Sequence, residues 1–229
     1  MLMAVGCLLV SSCHITVNKK LKWDDVEVTV VDSLPEYERV VVEAACNVKF
    51  VQSDESKMKM KGGKSDLEQI KHYVKDGVLY IDTDSRKGWT ALRMEDLGNV
   101  DVVLYSPDLI GIELRGAGEV RVDGLDTDTL DLDLRGAGNV NLRNVVCDEM
   151  NALLKGAGEI KIDSLTTKQA DIELKGVGNV NVGFNNSGSV KCELKGVGNV
   201  KLYGTVRRMK SDVKGTGNID VSELHVAEK

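Results

Sequence analysis

Glu113-Leu-Arg-Gly-Ala-Gly-Glu-Val-Arg-Val122 returns five more times: from Asp133, Leu153, Glu173, Glu193 and Asp212. Its first glycines are Gly116, Gly136, Gly156, Gly176, Gly196 and Gly215, so the steps are 20, 20, 20, 20 and 19 residues. A degenerate copy, Asp96-Leu97-Gly98-Asn99-Val100, lies one period earlier. A fixed period of this length is the mark of a repeat architecture. Within a copy the apolar residues alternate with polar ones, as in Leu130-Asp-Leu132-Asp-Leu134. A period of two means a strand with one face buried. The copies run in one direction, so stacking them in register gives parallel strands. The predicted fold is all-β, a parallel β-helix of about seven 20-residue coils. Each coil should hold two short strands, one on either side of the Gly-x-Gly.

The glycines mark a corner. A tight corner needs positive φ or close backbone approach, and glycine supplies both without steric cost. Twelve of the 23 glycines sit in the six Gly-x-Gly pairs. The middle residues, Ala117, Ala137, Ala157, Val177, Val197 and Thr216, are small and are expected to point inward. Three aliphatic columns should fill the core. They are Leu114, Leu134, Leu154, Leu174, Leu194 and Val213; Val120, Val140, Ile160, Val180, Val200 and Ile219; and Val122, Leu142, Ile162, Val182, Leu202 and Val221. A thin interior of branched aliphatics fits a chain that is 42% hydrophobic but only 4% aromatic.

Charges should stack outside. Arg115, Arg135, Lys155, Lys175, Lys195 and Lys214 form a basic column, and Glu113, Asp133, Glu173, Glu193 and Asp212 an acidic one, interrupted at Leu153. Residues i and i+2 of a strand share a face, so the columns lie side by side and neutralise each other. The competing reading, a polyanion-binding stripe, is disfavoured because acids nearly match bases. Asn99, Glu119, Asn139, Glu159, Asn179, Asn199 and Asn218 form another outward column, in which amides can hydrogen-bond along the stack.

Residues 23–92 do not repeat and are read as a smaller N-terminal β portion, with the β-helix repeats over 93–225. Strands are expected at Val26–Val30, Glu38–Glu43, Asn47–Phe50, Lys57–Lys61 and Val78–Asp82, with helical turns between Lys64 and Lys71. Asp76-Gly77 is a hairpin signal. This portion should cap one end of the β-helix and hide an edge. No cap is evident after Leu224, which makes a homo-oligomer through that end an expectation.

The first thirteen residues are a short apolar stretch ending in Val10-Ser-Ser-Cys13. This resembles a bacterial lipobox. The resemblance implies a lipoprotein signal peptide over 1–12, lipid attachment at Cys13, and a tether over 13–22. Acyl chains anchor at ~0.8 kcal/mol per buried CH₂. Cys46, Cys147 and Cys192 are widely spaced and show no metal or disulfide pattern. Cys46 and Cys192 read as core residues, and Cys147 as part of a less regular turn. No cofactor or metal site is expected. A net charge of −6 argues against nucleic acid as partner.

Tyr37-Glu-Arg-Val-Val-Val-Glu-Ala44, Asn47-Val-Lys-Phe-Val-Gln52, Lys75-Asp-Gly-Val-Leu-Tyr-Ile81 and Pro107-Asp-Leu-Ile-Gly-Ile-Glu-Leu-Arg-Gly-Ala-Gly-Glu-Val120 together resemble the head GIN domain family. The likeness spans roughly residues 37 to 224. Its members are described as autotransporter adhesins and are often lipoproteins of Gram-negative envelopes. The resemblance implies a β-helical fold and an envelope address, with the outer membrane expected, but no chemistry.

β-helices also include polysaccharide lyases, whose sites need an irregular cluster of acids and bases walled by unequal loops. Uniform coils point away from that. Among the repeats only Tyr105, Phe184 and Tyr203 could offer a stacking platform for sugar, and the turn at Phe184–Ser189 is the least regular. The expected function is a non-enzymatic, lipid-anchored adhesin or assembly scaffold with an envelope protein or glycan as partner. The alternatives are a glycan-active enzyme and a regulatory or stress factor of the envelope.

Overall fold

A computed structural model describes residues 16–17, 27–83 and 100–228. Cys13, the tether apart from Thr16–Val17, and the degenerate copy at Asp96–Asn99 lie outside the described residues. The fold is an all-β solenoid of about six turns. Its coils are β10 (Ala117–Asp126) with β11 (Thr129–Leu134), then β12 (Ala137–Leu154), β13 (Ala157–Leu174), β14 (Val177–Leu194), β15 (Val197–Val213) and β16 (Thr216–Val226). Successive coils pair in parallel and in register: Ala137 opposes Ala157, Val140 opposes Ile160, and Leu154 opposes Leu174.

Each coil has three walls, where the sequence suggested two strands. In β12 the buried residues are Val140 and Leu142, then Val145 and Cys147, then Met150, Ala152 and Leu154. The exposed pairs Arg143-Asn144 and Asp148-Glu149 interrupt the alternation and mark two corners. The glycine corner is the third. The extra wall is short, and its inward positions form two columns. Leu125, Val145, Leu165 and Phe184 fill one, and Thr127, Cys147, Thr167 and Ser187 the other. The second column is polar but satisfied. Thr167 Oγ1 donates to the Gln169 carbonyl of its own coil and the Asp148 carbonyl of the coil above, and Ser187 Oγ donates to the Leu165 carbonyl at 2.8 Å. Cys147 thus belongs to a wall and not to an irregular turn. The 19-residue step is absorbed here too, since Phe184 pairs with Gly204 but Ser187 pairs with Val206.

The middle residue of Gly-x-Gly points outward, against expectation. Val177 is 58% and Val197 49% exposed. The glycines themselves lie against the coil above. A Cβ on Gly156 would meet the Gly136 carbonyl oxygen at 2.0 Å, and one on Gly158, whose φ is +149°, would meet that of Gly138 at 1.8 Å. Backbone packs on backbone at this edge, and the small residue between the glycines is left to face solvent.

The core columns hold through the first two walls of β15 and fail from its last third onward. Val213 is 47% and Val221 39% exposed, and Ile219 is half-buried. No described coil lies beneath β16 to cover them.

The N-terminal strands are β1 (Thr16–Val17), β2 (Glu27–Ser33), β3 (Arg39–Val42), β4 (Asn47–Gln52), β5 (Lys57–Gly63), β6 (Ile70–Lys75), β7 (Val78–Thr83), β8 (Asp101–Ser106) and β9 (Gly111–Leu114). The helix α1 covers only Lys64–Leu67, and the expected turns up to Lys71 give way to β6. Ile70, His72 and Val74 alternate with exposed residues there, so the period of two prevails. Asp76 and Gly77 have φ of 52° and 74°, and they join β6 to β7 in a tight hairpin.

These strands belong to the same stack. The first wall runs β2, β5, β8, β4, β10 and then the first thirds of β12 to β16. The third wall runs β6, β7, β3, β9, β11 and the last thirds of β12 to β15. The order is not that of the chain. β3 lies between β7 and β9, and β4 between β8 and β10, all parallel. The stretch 39–52 is therefore a coil inserted between two coils made later in the sequence. Tyr37 fixes the insertion: its hydroxyl donates to the Tyr105 carbonyl at 2.8 Å, and Ser106 Oγ donates to the Tyr37 carbonyl at 2.6 Å. Antiparallel pairs, β2 with β5 and β6 with β7, finish this end. His72 Nε2 on β6 comes within 3.3 Å of Asp32 Oδ2 on β2, joining the third wall to the first at this end.

Candidate functional site

The outward face of the third wall carries most of the organised chemistry. Its strand spacing of ~4.8 Å sets the columns side by side. One row runs Tyr73, Tyr80, Val41, Glu113, Asp133, Leu153, Glu173, Glu193, Asp212. The next row holds the basic ladder. The two ladders neutralise each other as expected. Arg115 pairs with Glu113 of its own coil and Glu43 of the coil above. Arg135 does the same with Asp133 and Glu113, and Lys195 with Glu193 and Glu173. These pairs hold the Glu173 and Glu193 carboxyls below, and the Arg115, Arg135 and Lys195 cations above, their ordinary pKa ranges.

Leu153 breaks the pattern. Without a carboxylate there, Lys155 forms no ion pair among the described residues, and buried Asp133 Oδ1 accepts no hydrogen bond.

On the first wall the expected amide ladder is diagonal instead. Asn141 and Asn181 donate to Glu119 and Glu159, each one coil up in the adjacent column. Of the three aromatic side chains read as platforms, none is free. Tyr105 lies under the ammonium groups of Lys57 and Lys59, at 4.9 and 5.4 Å from the ring centre. Phe184 is buried. Tyr203 lies over Gly183, where a Cβ would meet the ring at 2.6 Å, and its hydroxyl donates to the Asp163 carbonyl at 3.3 Å.

The aromatic pair that sequence reasoning passed over is Tyr73 and Tyr80. They face each other across the β6–β7 hairpin, ring centres 4.9 Å apart and planes 15° apart. The signal was present: both occupy outward positions of strands joined by Asp76-Gly77. Beyond Tyr80 the surface dips into a depression of about 450 Å³. Val41 and Gly111 form its low floor, and Arg39 lies across Gly111 to reach Asp131 at 2.9 Å. Asp131 also accepts from Asn151 at 3.0 Å.

The three described cysteines, Cys46, Cys147 and Cys192, are buried and free. Burial pushes the Cys46 and Cys192 thiols up to about 12, and Cys147 is raised for the same reason. Among the described residues no group of three or more His, Cys, Asp or Glu is placed to hold a metal. No described helix is long and apolar enough to cross a membrane. Of the residues singled out in the sequence, the corner glycines line the edge of the solenoid where the third wall turns into the first.

Comparison with known proteins gives three findings. The model of the family described as "Putative auto-transporter adhesin, head GIN domain" matches residues 36–183 and, because the coils resemble one another, again 153–229. No curated protein matches. Among solved structures, the chain is similar to a putative adhesin from Bacteroides fragilis, with 23% identity and a TM-score of 0.71, covering 87% of this chain and 99% of that one. It is similar also to a putative lipid binding protein from Parabacteroides distasonis, at 15% identity and a TM-score of 0.59, covering 84% and 95%. A putative adhesin from Parabacteroides merdae gives 15% identity and a TM-score of 0.54, with the same coverage. At these identities the likeness shows the fold.

Proposed function

We propose, from the premise that the chain belongs to the head GIN domain family of putative auto-transporter adhesins, that it is a non-enzymatic adhesin of the cell envelope, held by a lipid on Cys13. The third wall is its adhesive face. One observation carries this reading: the wall is nine strands wide, β6, β7, β3, β9, β11 and parts of β12 to β15, and its charges are tied in pairs along the stack. Such a face loses little side-chain entropy when a partner settles on it. The same pairing speaks for binding over turnover, because it moves the Glu173 and Glu193 carboxyls down and the Arg115, Arg135 and Lys195 cations up, away from the near-neutral range that suits proton transfer. The anchor rests on Val10-Ser-Ser-Cys13 alone.

Two measurements test the reading. Beads coated with the mature chain should adhere to mucin or to bacterial surfaces, and charge reversal at Lys175 and Lys195 should reduce adherence. Equal reversal at Lys161 and Lys201, on the first wall, should leave it unchanged. Adherence that ignores the third wall sinks the assignment of the face. Labelling of producing cells with radioactive palmitate should mark the wild type and not Cys13→Ala; equal labelling removes the anchor.

A further inference from the structure

We infer that the depression beside Tyr80 is a binding site for a short neutral saccharide. The inference rests on the adhesive reading of the third wall and names its ligand class. The Tyr73–Tyr80 centroid separation of 4.9 Å matches the spacing of adjacent strands. The rings therefore stand side by side on the sheet and do not lie flat upon it. One face of Tyr80 is covered by Tyr73, and the other looks over Val41 into the depression. A supported ring with one free face is what the apolar face of a pyranose stacks on.

The opposite side is polar and fixed. Arg39 and Asp131 are paired at 2.9 Å and are each a little over two-fifths exposed. The pair presents N–H donors and carboxylate acceptors next to one another, which suits adjacent hydroxyls, each both donor and acceptor. Gly111 makes this possible, since a Cβ there would meet the Arg39 guanidinium at 2.7 Å. The volume of about 450 Å³ is within the ordinary range for small-ligand clefts.

Charge selects against acidic sugars. Two cations, Arg39 and Arg115, face three carboxylates, Glu113, Asp131 and Asp133, around the depression. A uronate or sulfate would find the lining cations already engaged, Arg39 by Asp131 and Arg115 by Glu113 and Glu43.

The test is calorimetric and NMR titration of the mature chain with cellotriose, mannotriose and N,N′,N″-triacetylchitotriose, with trigalacturonate as the acidic comparison. At least one neutral trisaccharide should bind with a dissociation constant in the millimolar range or below and shift the Tyr80 ring resonances. Tyr80→Ala and Asp131→Asn should each weaken binding tenfold or more, while Tyr80→Phe, which keeps the stack, and Tyr203→Ala should not. Unchanged thermal unfolding shows that the variants remain folded. No binding by any neutral trisaccharide, tighter binding of trigalacturonate, or binding indifferent to Tyr80→Ala would each overturn the inference. If coated beads still adhere when no saccharide binds, the saccharide assignment falls and the adhesive reading stands. If saccharide binds but adherence does not depend on the third wall, the reverse holds.

Discussion

At the residue scale the corner glycine decides whether coils can stack. Its role was legible in the sequence as a corner, but the reason was only half visible. Spacing shows that a glycine recurs; it does not show a carbonyl of the previous coil 2.0 Å from where a Cβ would stand on Gly156. The corner above the repeats illustrates this, for Ala44 and Cys46 occupy the glycine places there, and the carbonyls of both lie against the glycines below. Gly156→Ala should cost about 3 kcal/mol, as backbone must move away from backbone. Gly124→Ala, at a position with no atom within 4 Å, should be neutral or stabilise by up to ~1 kcal/mol. Urea unfolding of both variants checks the contrast, and equal effects would refute it.

His72 is the second residue with a readable consequence. Burial lowers its pKa below the ordinary 6.5, and the attraction of Asp32 only partly offsets this. The unfolded chain then takes up a proton before the folded one. The stability that His72 supports is complete above about pH 6.5 and is lost as pH falls below it. His72→Gln should remove this part of the loss between pH 7.5 and 5.5. Urea midpoints of wild type and variant that decline in parallel would refute it.

At the element scale the strands were legible wherever alternation was strict, and the short second wall was not. Its inward residues include Thr127, Cys147, Thr167 and Ser187, and a polar residue in a buried column gives no hydrophobic signal. β6 was hidden in the same manner, because His72 takes an inward place. The ladders were legible as columns, but their cross-coil bridging depends on register. The break at Leu153 offers a test. Leu153→Glu restores the acidic column beside unpaired Lys155, so the variant should stay within ~1 kcal/mol of wild type despite the loss of an apolar side chain. Its stability should also become more sensitive to salt. A loss of more than ~2 kcal/mol would show that Leu153 serves as an apolar contact, beyond what a surface pair can offset.

At the scale of the whole molecule the solenoid is a line of nearest-neighbour contacts, and its stability should be close to a sum over coils. Removing residues 215–229 deletes the most exposed coil and should leave a folded chain with a slightly lower melting temperature. Removing 37–52 withdraws a coil from the interior of the stack and should abolish cooperative unfolding altogether. Circular dichroism melts compare the two. A folded chain without 37–52 would show that the neighbouring coils can close over the gap. The place of that inserted coil was not legible, since β3 and β4 look like any leading strands, and only the pairing with β7 and β9 on one wall and β8 and β10 on the other reveals it.

The insertion also dictates a schedule. A solenoid threaded in chain order can zip up from its first coil as the polypeptide emerges. Here the earliest coil has no partner until residues 78–83, 101–106 and then 111–122 arrive to flank it. Until then Val40, Val42, Val48 and Phe50, all destined for the interior, face water as open edges prone to pairing elsewhere. A chain exported before folding would gain from such an arrangement, because its leading coil closes only once the strands that flank it have followed.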